Sequence, residues 1–448
     1  MILFDWFYLL SAKVCSVKKI FFSFVVFTTP LISHAAGFAL IEQNASGMGN
    51  AYAGGSAIAE DASTIFFNPA GMTYIQGMQA VGALHLIKPN AEFNNEGSVR
   101  GLGAGPFPSR PLGGEGGNAG DLAFVPNAYF KMDLTDTIKV GIGMSAPFGL
   151  TTEYDKDWIG RFQGIKSELK TININPAMAF KVNEQLSLGF GVSAMYAEAE
   201  LTSAVNIVTE ERNSKVKGDD WGFGFNLGAI YQATADTRFG VAYRSKVKQE
   251  LEGKATSNFT GLNANPIGTL NTDITAKTTL PENLSISAFT RLNDTWDLMG
   301  DVTWTRWSRF DELRIVRDNG TNSTLAVTPE NWDNTMRYSV GLNYRYNDTL
   351  KFRAGLAYDE EAISTKFRTV RIPGNDRKWL ALGAGWQATP STRLDIGYAH
   401  LFISDTKIDS NENPPDTPVP PSSGRKGHVK GEYEGSVDIL SLQLTHNF

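Results

Sequence analysis

The feature that most constrains this chain is a period-two alternation of apolar with small or polar residues, sustained over segments too long for an ordinary soluble sheet. In Trp221-Gly222-Phe223-Gly224-Phe225-Asn226-Leu227-Gly228-Ala229-Ile230-Tyr231 every odd position is apolar or aromatic, and Gly or Asn fills four of the five even ones. Tyr338-Ser339-Val340-Gly341-Leu342-Asn343-Tyr344-Arg345-Tyr346 alternates in the same way. Strands of a β-sandwich usually have about five or six residues, whereas a tilted strand crossing a bilayer needs about nine to eleven. These segments have the membrane length, with one greasy face and one polar or small face.

Fourteen such runs can be traced, at approximately 77–94, 121–132, 138–149, 168–182, 186–205, 217–233, 237–252, 274–291, 296–313, 332–346, 349–358, 379–388, 392–404 and 432–448. An even number suits a closed single-chain barrel, so the sequence predicts an all-β fold, a 14-stranded antiparallel transmembrane β-barrel over 77–448. Short polar turns at 133–136, 183–185, 234–236, 292–295, 347–348 and 389–391 alternate with longer segments, among them the Gly-rich 97–120 and the Pro-rich 411–427. Short periplasmic turns opposite long outer loops are the usual arrangement of such barrels. Aromatics near run ends, Trp221 and Tyr231, Trp379 and Trp386, Tyr344 and Tyr346, are expected to form interfacial girdles. After residue 35 no window approaches 18 consecutive apolar residues, which excludes a transmembrane helix there. The alternation runs up to Phe448, similar to the terminal signal by which outer-membrane barrels are recognised for assembly.

Residues 1–35 read as a signal peptide. Lys13, Lys18 and Lys19 precede the apolar stretch from Ile20 to Phe27, and Ser33-His34-Ala35 places small residues where signal peptidase needs them. Cleavage is expected between Ala35 and Ala36. Thr28, Thr29 and Pro30 interrupt an apolar run already shorter than the roughly 20 residues of a spanning helix. The one cysteine, Cys15, leaves with this segment, so the mature chain has no Cys nucleophile and no Cys-ligated metal.

The net charge of -6 becomes more negative once the three Lys and one Asp of the leader are removed, which argues against nucleic acid as a partner. No His, Asp or Glu cluster has ligand spacing, and no Ser/His/Asp arrangement can be picked out, so neither catalytic residues nor a metal or cofactor are expected. His85 and His400 read as outward-facing.

Residues 36–76 precede the first strand and do not alternate. Ala51 to Ala59 and Phe66 to Met72 are small and apolar with sharp turn signals, and a segment of that character must pack somewhere. The lumen of a fourteen-stranded barrel is wide enough to hold it, so it is expected to be an N-terminal hatch plugging the barrel. Pro126, Pro147 and Pro176 fall inside runs two, three and four. Proline cannot donate to a strand ladder, so local unpairing is expected there, most of all at Ser145-Ala146-Pro147-Phe148-Gly149, where Gly149 adds a permissive backbone.

Ala36-Gly37-Phe38, the stretch from Ser46 to Gly54, Asn68-Pro69-Ala70, the stretch from Phe148 to Tyr154, Trp221-Gly222-Phe223-Gly224 and Tyr243-Arg244-Ser245 together resemble the FadL-type long-chain fatty acid transporters of the Gram-negative outer membrane. The resemblance runs the length of the mature chain. It implies passive, outer-membrane transport of hydrophobic compounds, most often long-chain fatty acids, with lateral release through the wall. It assigns Asn68, Pro69 and Ala70 to the hatch or gate, and Pro147, Phe148 and Gly149 to a strand-three kink forming the lateral opening. A hole toward the acyl region spares an apolar ligand a hydration cost of about 0.8 kcal/mol per CH₂.

The basic positions that hold a carboxylate in fatty-acid-transporting members fall here on Ser203 and Thr328, which carry no charge. Arg244 and Arg337, on the polar face of strands seven and ten, are the candidate carboxylate-binding residues instead. Aromatic or other hydrocarbons are therefore an alternative cargo, and a general hydrophilic porin is the competing reading from another class. The expected partners are a hydrophobic ligand and the lipid and lipopolysaccharide of the outer membrane, around a monomeric barrel.

Overall fold

Strands that are all amphipathic and of membrane length satisfy their edges only by closing into a barrel. The computed structural model describes residues 37–99, 111–206, 211–257, 270–318, 320, 322–411 and 426–448, and in it the strands close. The expected leader over 1–35, Ala36, and the middles of the Gly-rich and Pro-rich segments lie outside the described residues.

Fourteen antiparallel strands form the wall. They are β1 (Gln79–Asn95), β2 (Ala123–Asp133), β3 (Ile138–Ser145, then Gly149–Glu153), β4 (Lys166–Lys181), β5 (Leu186–Asn206), β6 (Glu211–Gln232) and β7 (Thr237–Arg244, then Val247–Ser257). The second half comprises β8 (Leu270–Leu280, then Asn283–Arg291), β9 (Trp296–Thr305, then Glu312–Arg317), β10 (Thr324–Pro329, then Thr335–Arg345), β11 (Leu350–Asp359), β12 (Arg377–Thr389), β13 (Thr392–Ile403, then Thr406–Ser410) and β14 (Val429–Asn447). β1 pairs with β14 along its whole length, Gln79 opposite Asn447 and Asn95 opposite Gly431, so the cylinder has no edge at its seam.

The alternation sorts residues as expected. Trp221, Phe223, Phe225 and Leu227 of β6 point outward and are 41–74% exposed, an apolar surface that only lipid would tolerate. The short turns are built alike. Asn183, Asn293 and Asn347 each accept, through Oδ1, the backbone N–H groups two and three residues on, and the Thr135 and Thr234 hydroxyls accept from the third residue on.

Two expectations need correction, and a third holds on one side of its strand. Trp379 is 3% exposed and faces inward, whereas Trp386 is 51% exposed on the outside, so only the latter can join a girdle. His85 also faces inward, fully buried, with Nδ1 2.6 Å from the Ser441 hydroxyl. Pro176 unpairs β4 on one side only: it keeps its place opposite Ile142 of β3, while the ladder to β5 skips Asn175 and Pro176 and the Val192 carbonyl accepts instead from Asn175 Nδ2 at 2.7 Å. Three further prolines lie within strands or at their breaks: Pro89 inside β1 opposite Val437, Pro281 in the break of β8 and Pro329 at the break of β10.

Residues 38–75 lie against the inner wall. They form α1 (Ala45–Met48), α2 (Gly55–Ile58), α3 (Thr64–Phe67) and a 3-10 turn (Pro69–Tyr74). Helices this short owe little to propensity, so wall contacts must hold them. Gln443 of β14 accepts from the Ala45 amide, Asn50 donates to Leu342 O and Asn343 Oδ1 of β10, Ser56 meets Ser285 and Ser287 of β8, and Thr73 donates to Ser187 of β5. The wall makes room with glycine. A Cβ on Gly228 would collide with the Asn68 side chain, and one on Gly355 with the backbone of Asn50 and Ala51.

Candidate functional site

The β2–β3 ladder stops at Ala128 opposite Met144, and the second half of β3 pairs with β4. Ala123 to Asn127 of β2 therefore have no β3 partner, where Pro126 lies on one side and Pro147 on the other. The freed residues of β3 turn inward and pair with the start of the described chain. Leu40 N donates to Pro147 O at 2.8 Å, and Gly149 N donates to Phe38 O at 3.0 Å. Thr171 of β4 bonds both the amide and the carbonyl of Phe148, fixing the turn from the other side.

Four of the other interruptions serve the same centre. Val247 follows the break in β7, Leu280 precedes that in β8, Trp307 and Phe310 lie in that of β9, and Trp332 in that of β10; all join Phe38 and Phe148 in one buried apolar cluster. The Phe38 ring stands 4.9 Å from Trp307, 5.5 Å from Trp332, 5.6 Å from Phe310 and 6.0 Å from Phe148, mostly edge to face. A ladder that breaks turns its unpaired residues off the sheet. Here they meet around Phe38.

Beside this cluster is a cavity of about 760 Å³, lined mainly by apolar side chains such as Leu40, Phe66, Ile87, Leu169 and Trp379. It reaches the unpaired stretch, where Pro147, Phe148 and Gly149 border it together with Phe124 and Ile172, whose side chains are 63% and 48% exposed on the outer face. Arg244, Arg337, Arg377, Glu42 and Asp359 are among its charged lining residues, which also include Asp301, Glu168 and Lys170.

Arg244 and Arg337 thus share the cavity, as their common polar phase suggested, and each is about nine-tenths buried. Arg244 donates from Nη2 to Phe66 O at 2.7 Å and lies over the Phe66 ring. Arg337 donates from Nη2 to Ala51 O at 2.8 Å and lies 5.1 Å from the Trp379 ring centre. Ser203 and Thr328 stand opposite Ser214 and Leu313, away from the lining. Among the described residues no cluster of His, Cys, Asp and Glu could hold a metal.

Asn68-Pro69-Ala70 lies elsewhere, against β5, β6 and β7. Asn68 caps the 3-10 turn by accepting from the Ala70 amide at 3.1 Å, and its Nδ2 donates to Ser56 O at 2.7 Å and to Ala229 O of β6 at 3.1 Å.

Sequence reasoning missed a charge cluster joining the N-terminal segment to the wall. Glu60 accepts from Lys351 and Arg353 of β11, both at 2.8 Å, and Asp61 pairs with Arg393 of β13 at 2.8 Å while Asp395 binds both arginines. Burial alone would raise the Glu60 carboxyl, but Arg353, Lys351 and Arg393 hold it well below the usual carboxylate range. The signal was Glu60-Asp61 itself, two adjacent acids in an otherwise apolar segment that could be buried only against cations.

A family model described as outer membrane protein transport protein (OMPP1/FadL/TodX) matches residues 26–448. A long-chain fatty acid transport protein of Escherichia coli O6:H1 is 30% identical over 412 residues, covering 84% of this chain and 89% of the relative. Outer membrane protein P1 of Haemophilus influenzae is 34% identical over 409 residues, covering 82% and 86%. Among solved structures, a FadL homologue of Pseudomonas aeruginosa superimposes with a TM-score of 0.82 at 25% identity, over 92% of this chain and all of that one.

Proposed function

The chain belongs to the outer membrane protein transport family of OMPP1, FadL and TodX, and from that premise we propose that it carries long-chain fatty acids inward by passive diffusion, releasing them sideways through the wall at the β3 kink. It is an outer-membrane transport protein and not an enzyme. In this reading residues 36–76 are the hatch, freed from a signal peptide over 1–35. Asn68, Pro69 and Ala70 seat the hatch on the wall, and Pro147, Phe148 and Gly149 form the lateral opening. The barrel works as a monomer among outer-membrane lipid and lipopolysaccharide.

One observation carries the proposal. The cavity is mostly apolar and runs to the place where β2 and β3 stop pairing, so a long acyl chain can move from lumen to bilayer without being hydrated. Arg244 and Arg337 give that cavity a polar end suited to a carboxylate. The relatives named for long-chain fatty acid transport favour this cargo over hydrocarbons.

The test is uptake of labelled oleate and of a labelled alkylbenzene by cells lacking their own outer-membrane fatty-acid channel, expressing this chain or its Pro147→Ala, Gly149→Val double variant. Kink-dependent oleate uptake supports the proposal. Kink-dependent uptake of alkylbenzene alone moves the cargo to hydrocarbons and keeps the route. Free passage of small sugars with uptake of neither would make the barrel a porin.

A further inference from the structure

The charged groups around the cavity are not equivalent. Arg244 is engaged by Phe66 O, by the Phe66 ring and by the Ser193 hydroxyl at 3.4 Å. Arg337 is 6% exposed and spends Nη2 on Ala51 O, while its Nε and Nη1 are buried without a hydrogen-bond partner. Arg377 donates from Nη2 to Gly37 O at 3.0 Å, and its Nε is likewise buried and unpartnered. Both arginines border the cavity, as do Glu42 and Asp359. Guanidinium nitrogens left unpaired in an apolar enclosure are costly, and a carboxylate matches their fork.

We propose that Arg337 and Arg377 are the seat for the anionic headgroup of an otherwise apolar ligand, and that Glu42 regulates the seat by taking up a proton when the headgroup arrives. The ligand class rests on the fatty-acid reading above; the pairing of these two arginines and the role of Glu42 go beyond it.

Glu42 is 5% exposed. Burial pushes its carboxyl up to about 7, against the pull of its own backbone amide, Arg377 and Arg337, and Asp359 adds to the rise. The groups facing it are Arg377 of β12, Arg337 of β10, Asp359 of β11 and Tyr52 of its own segment, whose phenol burial and Glu42 drive well above the ordinary range. Asn127 of β2 donates to its backbone carbonyl. Among the groups that act on Glu42, its own carboxylate and that of Asp359 offset the guanidiniums of Arg337 and Arg377 while Glu42 is ionised, so a further anion gains little at this end of the cavity. Protonation of Glu42 leaves one positive charge in excess, which the headgroup can meet. Anion binding and proton uptake are therefore linked, and above pH 7 an anionic ligand weakens by about tenfold per pH unit at the steepest.

The experiment measures equilibrium binding to the purified full barrel, one and two units above and below the Glu42 value of about 7. The probes are hexadecanesulfonate, whose headgroup stays charged throughout, and hexadecanol. Sulfonate affinity is expected to fall with rising pH in the unaltered protein and hexadecanol affinity to stay level. Glu42→Gln should hold the sulfonate at its low-pH affinity across the range, and Arg337→Gln with Arg377→Gln should weaken the sulfonate alone. Level sulfonate binding in the unaltered protein, or an unchanged pH dependence in Glu42→Gln, overturns the seat and leaves apolar transport standing. Binding of neither probe overturns both.

Discussion

The amide of Gly149 donates to the carbonyl of Phe38 across 3.0 Å, so the broken third strand is completed by the start of the described chain rather than by its neighbour β2. That bond and its companion from Leu40 hold only while Phe38 stays in its aromatic cluster. Truncating a buried Phe costs about 3–5 kcal/mol, which exceeds the two backbone bonds at about 1 kcal/mol each. Phe38→Ala is expected to free residues 37–41 from the kink and raise single-channel conductance in planar bilayers. Phe38→Leu, which keeps most of the apolar volume, should change conductance far less.

The inward glycines give a test of contact between segment and wall. A Cβ on the inward Gly228 of β6 collides with Asn68, whereas Gly82 lies on the outward phase of β1 and a Cβ there meets nothing within 4 Å. Gly228→Ala should expose the N-terminal segment to limited proteolysis, and Gly82→Ala should not. Both variants should remain folded barrels by their heat-modifiable migration in gels, because neither change touches the strand ladders.

How far the sequence could be read depended on whether the two faces of a strand differ. In β6 one face meets lipid and the other holds Gly and Asn, so phase and span are plain. In β1 the inner face packs Val81 against Ile65 and Met72 of the N-terminal segment, so both faces are apolar and the phase of His85 was lost. Trp379 could have been placed correctly, since it and Trp386 are seven residues apart and cannot share a face of one strand. The breaks in β7 and β9 lack a proline, and their cause is the tertiary cluster around Phe38, which no local pattern announces; the break in β10, which serves the same cluster, follows Pro329. The same holds for Arg377, whose value lies in its distance from Gly37 and Glu42 rather than in its neighbours along the chain.

Asn68 makes three kinds of bond at once: a cap to Ala70 N, a bridge to Ser56 O and an anchor to Ala229 O. Asn68→Ala loses about 1 kcal/mol as a cap and leaves buried carbonyls unserved at about 1–3 kcal/mol. Asn68→Asp keeps the cap and loses both donor bonds. Faster hydrogen exchange at residues 70–74 is expected in both, with the smaller change at Ala70 in the aspartate variant.

The Glu60 cluster sets how the N-terminal segment responds to acid. Its carboxyl is held well below the usual value of 4.5 by Arg353, Lys351 and Arg393 despite burial. A depressed carboxylate contributes stability that is fully present above its unfolded value and disappears as pH falls through the folded one. Protease access to residues 45–75 should therefore stay flat from neutral pH down to about 4.5 and rise only in stronger acid. Glu60→Gln should remove that acid step while loosening the segment at every pH. Arg353→Met, which leaves Asp395 and Glu60 short of a buried partner, should cost more, about 3–5 kcal/mol. An acid step that survives Glu60→Gln would show that Glu60 is not the sensor, although it pairs with Lys351, Arg353 and Arg393.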